Sequence, residues 1–74
     1  MPKTQMQLAN RAWRTETKEL GWDKSFPTRK KWKAFCRENA AVTIYERQLS
    51  GEPDFEDQGD ACWEVAEELT YWTP

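Results

Sequence analysis

The stretch Ser25 to Arg37, SFPTRKKWKAFCR, holds the densest cluster of positive charge in the chain, interleaved with Trp32 and Phe35. Placed at about 100° per residue, Trp32, Phe35, Cys36 and Asn39 share one arc of a helix. Arg29, Lys30, Lys33 and Arg37 share another, roughly 100° wide, and Lys31 lies apart from both. An amphipathic helix of this kind must lay its aromatic face against a neighbour, and the segment before it reads as one helix packed beside it.

That first helix is expected to start at Thr4, with Gln7 at capping-box spacing, and to run to about Leu20. Met6, Ala9, Trp13 and Leu20 fall near one face, and Arg11, Arg14 and Lys18 on the opposite side. Gly21 is the stop signal, because glycine enters the left-handed region without a Cβ penalty. Ser25 or Phe26 is the expected cap of the second helix, with Pro27 in its first turn, where a missing N–H costs nothing.

From Ala41 the sequence supports two readings. Val42, Thr43, Ile44 and Tyr45 are β-branched or aromatic and favour a strand. Its only partner would be the stretch Leu69–Thr73, a two-stranded pairing of 42–46 with 69–73 in an α+β fold. A helix continuing to about Leu49 and ended by Ser50-Gly51 is preferred, although it sets Ile44 at the angle of the basic stripe. Residues 51–59, GEPDFEDQG, form an acidic loop with Phe55 as an anchor. Asp60 is the expected cap of a third helix, whose apolar face is Cys62, Val65, Ala66 and Leu69. The fold class is therefore mainly α, a single small three-helix domain over residues 1–74 with residues 1–3 frayed.

Charge is divided along the chain. Residues 1–47 hold eleven bases against five acids, a net of +6; residues 48–74 hold eight acids and no base. The two segments either attract each other within the fold or face different partners. If the acidic segment covers the basic stripe, the stripe is structural. Otherwise the molecule is bipolar and suits a bridging role.

Several function classes drop out. The chain has no histidine, so Ser-His-Asp and Cys-His arrangements are excluded within it. It carries neither a Walker A sequence nor a GxGxxG. Cys36 and Cys62 form no CxxC pair, and two free thiols are expected rather than a disulfide or a zinc site. The acidic loop fails as a calcium loop: counted from Asp54, the twelfth position is Val65, where a bidentate Glu is required. No cofactor or metal is expected. The chain begins at Met1 and has no apolar run long enough for a signal peptide or a membrane span, so a cytoplasmic location is expected. Five tryptophans are many to bury in a body of 74 residues, and one or two are expected at a binding surface.

In size, charge and aromatic content, and through no motif, the chain resembles small regulators encoded by phages and other mobile elements. That resemblance implies a non-enzymatic protein that binds a host nucleic-acid-processing complex, RNA polymerase or a nuclease, as a regulator or inhibitor. It would act by steric occlusion or bridging, as a monomer or weak dimer. The candidate contact residues are Arg29, Lys30, Lys33, Arg37 and Trp32 on the basic side, and Glu52, Asp54, Phe55, Glu56 and Asp57 on the acidic side. Direct DNA or RNA binding through the basic stripe is the alternative. A solvated face that merely balances the acidic tail is the bland competitor. A helix-turn-helix is disfavoured, because the connection from Gly21 to Phe26 is longer than its usual tight turn.

Overall fold

The computed structural model describes residues 3–72; the expectations for residues 1–2 and for Thr73 lie outside them. Three helices follow one another: α1 (Gln5–Glu19), α2 (Arg29–Leu49) and α3 (Gln58–Thr70), with a 3₁₀ turn at Trp22–Lys24 between the first two. No strand occurs among the described residues, so Val42–Tyr45 is helical and the two-stranded alternative is set aside.

Local chemistry sets the helix ends. Thr4 Oγ1 accepts the Gln7 N–H while Gln7 Oε1 accepts the Thr4 N–H, a complete capping box. Gly21 (φ 80°) and Gly51 (φ 70°) follow the C-caps of α1 and α2 in the left-handed conformation that the sequence anticipates for Gly21. Two caps differ from expectation. The cap of α2 is Thr28, whose Oγ1 accepts the Lys31 N–H at 3.2 Å; Pro27 stands before the helix rather than in its first turn. Ser25 instead closes the 3₁₀ turn by donating its N–H to the Trp22 carbonyl. The cap of α3 is Asp57, which accepts the Asp60 N–H at 2.8 Å. Asp60 turns back to accept the Glu56 N–H at 3.1 Å, so two carboxylates share the work assigned to one.

Helix α1 is the middle of the fold. It packs on α2 along one flank and on α3 along the other, whereas the α2 and α3 backbones do not approach each other. Trp13, Trp32, Cys36, Ala40, Ala61 and Val65 are buried between them. Polar bonds cross this core. Trp13 Nε1–H donates to Thr43 Oγ1 on α2, and Trp32 Nε1–H donates to Thr17 Oγ1 on α1, both at 3.0 Å. Each threonine hydroxyl in turn donates to the carbonyl four residues back, Asn39 for Thr43 and Trp13 for Thr17. Thr43 is thereby a helical residue despite its β-branched neighbours. Ile44 is half-buried against the same core, two turns beyond Arg37, the last cation of the stripe.

Phe35 gathers the aromatic rings at one end. Trp13 and Trp72 stand edge-on to it, both at 6.2 Å, while Phe26 and Trp22 are tilted against it at 5.2 and 6.2 Å. Trp72 thus ties the end of α3 to α1 and α2 even where the α2 and α3 backbones stay apart.

Candidate functional site

The acidic segment does not cover the basic stripe: α3 packs on α1 rather than on α2, and Arg47 holds the acidic loop at the end of α2. Its guanidinium pairs with Glu52 at 3.4 Å and Glu64 at 3.3 Å, the only ion pairs among the described residues. It also donates to the Pro53 carbonyl at 2.6 Å and lies 4.2 Å from the centre of the Phe55 ring. Phe55 is buried, and its backbone N–H and carbonyl both bond the side-chain amide of Gln5. The loop is therefore fixed to the start of α1 and the end of α2. Arg29, Lys30, Lys33 and Arg37 lie at the other end of α2, exposed and without an ion pair among the described residues.

Of these cations, Arg29 joins a groove between α1 and the start of α2. Its volume is about 480 Å³. Lys3, Arg11, Arg14 and Lys18 line it from the α1 side and Arg29 from α2, with Gln7, Asn10 and Thr15 between them. No acidic residue lines it. Trp32 forms a buried part of the wall, and the Arg29 guanidinium lies 5.5 Å from the centre of its ring. Asn10 Oδ1 is buried beside the groove without a hydrogen-bond partner. Arg11 and Lys18 are two helical turns apart, about 10 Å along the axis.

Of the basic-side candidates, Arg29 and Trp32 reach the groove, while Lys30, Lys33 and Arg37 extend away from it on α2. Trp32 offers no free face: it is 2 % exposed and its N–H is taken by Thr17. On the acidic side, Asp57 caps a helix, Glu52 pairs with Arg47 and Phe55 is core. Asp54 and Glu56 are left exposed with no ion pair among the described residues. The α1 cations Arg11, Arg14 and Lys18 are the members that sequence reasoning passed over. Their signal was their position opposite the apolar face of α1, but only the packing of α2 turns that face into one wall of a groove.

Of the tryptophans, Trp63 and Trp72 are the exposed ones. Both cysteines are free thiols, and burial raises the pKa of Cys36. Among the described residues, no three His, Cys, Asp or Glu side chains gather as a metal site, and no helix is long and apolar enough to cross a membrane. Comparison with protein-family models, curated proteins and solved structures finds no match to the chain.

Proposed function

We propose that the chain is a small non-enzymatic regulator that works on a nucleic-acid-processing complex, gripping the sugar–phosphate backbone of the nucleic acid in the α1–α2 groove. It acts by occluding or bridging. The observation that carries this reading is the convergence of five cations on one concave surface that no acidic residue lines, while Arg47 holds Glu52 and Glu64 elsewhere. Like charges crowded in a groove without counter-charge repel one another, and a polyanion relieves that repulsion while releasing its own counterions.

The groove presents guanidinium and ammonium groups and no exposed ring, so it is suited to phosphates rather than to stacked bases. Binding is therefore sequence-independent and steeply salt-dependent. Fluorescence anisotropy with labelled single- and double-stranded DNA and RNA tests it. The expected result is micromolar binding at low salt, with log K falling by about 0.7–0.9 per neutralised phosphate against log salt. Absence of binding by all four probes at low salt would refute nucleic-acid contact and turn attention to an acidic protein surface as the ligand of the same groove.

A further inference from the structure

The other flank of α1 carries a second depression of opposite character. It lies between the end of α1 and the end of α3, with a volume of about 160 Å³. Leu20, Ala66, Leu69 and Thr70 form its apolar surface, and Glu16 and Glu19 stand on the α1 side. No lysine or arginine lines it, and neither glutamate has an ion pair among the described residues. Leu20 is 50 % exposed. Trp63, 65 % exposed, precedes Ala66 by three residues and Thr70 by seven, so it extends the same face of α3.

We propose that this α1–α3 groove docks a short basic amphipathic segment of a partner protein. One aliphatic or aromatic side chain seats against Leu20 and Ala66, and flanking Lys or Arg side chains reach Glu16 and Glu19. Charge complementarity selects this occupant. An acidic segment would meet two unpaired carboxylates. A second copy of this chain fits no better: its basic helix face is backed by aromatic residues already turned into the core. The exposed apolar residues of its α2, Val42, Tyr45 and Leu49, stand at helical spacing from Glu38 and Glu46 and would bring carboxylate to carboxylate, and its own Leu20 and Trp63 flank would set Glu16 and Glu19 against the same pair. Partial burial, reinforced by Glu19, raises the pKa of Glu16, so a cation delivered there meets an under-compensated site. The inference does not rest on the basic groove. Together the two grooves would place a protein segment and a polyanion on opposite flanks of one helix.

The test uses the intact chain and a short synthetic peptide with leucine and lysine at helical spacing, followed by amide chemical shifts. The peptide is expected to shift the amides of Leu20, Ala66, Leu69 and Thr70. Glu16→Gln with Glu19→Gln is expected to weaken binding at least about threefold, and Leu20→Asp, an exposed substitution, to abolish it. Arg14→Glu, in the basic groove, is expected to leave it unchanged. Equal shifts from a peptide with glutamine in place of leucine, or glutamate in place of lysine, would overturn the proposal. So would shifts confined to residues 52–60 or to Val42, Tyr45 and Leu49, shifts of the groove amides with protein concentration alone, or no shift at all.

Discussion

Trp13 and Trp32 each bury an indole N–H away from water, and each recovers a partner from a threonine across the α1–α2 interface. A valine in place of Thr43 keeps the shape and removes the acceptor, leaving a buried donor unsatisfied at a cost of about 1–3 kcal/mol. Thr43→Val is thus expected to lower the melting temperature by about 4–8 °C per kcal/mol for a domain of this size, with helix content by circular dichroism unchanged. Neither threonine was legible as an interface residue in the sequence. A hydroxyl in a run such as VTIY signals a strand, and its tertiary partner lies thirty residues away.

Glu68 supplies a pH handle at the same scale. Partial burial, with Glu46 and Glu64 adding to it, raises its pKa above the ordinary carboxylate value of 4.5. Between 4.5 and the raised value, the folded protein holds a proton that the unfolded chain has lost. Stability from this group is therefore present below that window, declines as pH rises through it, and stays lower above it. Glu68→Gln is expected to raise the melting temperature at neutral pH, with the gain shrinking as pH falls toward 4.5. An equal gain at both ends of the titration would contradict the assigned cause.

At the scale of elements, the acidic loop keeps its place through one cation. Arg47 joins α2 to Glu52, to the Pro53 carbonyl, to the Phe55 ring and to Glu64 of α3. Arg47→Ala removes two ion pairs, a charge-assisted hydrogen bond and a cation–π contact together, a loss of about 2–3 kcal/mol. Limited proteolysis is expected to cut within residues 50–57 of the variant well before it cuts the parent chain. The capping box of α1 and the glycine stops could be read directly, because each depends on neighbours within four positions. The caps of α2 and α3 were read wrongly because SFPT and DQGD each offer several oxygens, and spacing alone does not say which one faces the free N–H groups. Arg47 gave no signal of its own. It stands at the point where the chain's charge changes sign, and its four partners converge only once the loop folds back.

Across the whole molecule, five cations line the groove on the α1–α2 flank without an acid among them, while Arg47 holds Glu52 and Glu64, and Asp57 and Asp60 are taken up at the start of α3. The three-helix architecture and the inward face of α2 were legible from periodicity. The groove was not, since seven of its nine lining residues come from the α1 side and the two walls meet only through antiparallel packing. Under the proposed function the α1 cations matter more than the outer cations of α2, an order that the sequence alone would reverse. The direct measurement is the nucleic-acid dissociation constant, and its salt slope, for Arg14→Glu beside Arg37→Glu. Arg14→Glu is expected to weaken binding about tenfold or more and to flatten the salt slope by about one, while Arg37→Glu has a smaller effect on both. Equal losses, or a larger loss from Arg37→Glu, would contradict it and return the site to the exposed stripe of α2.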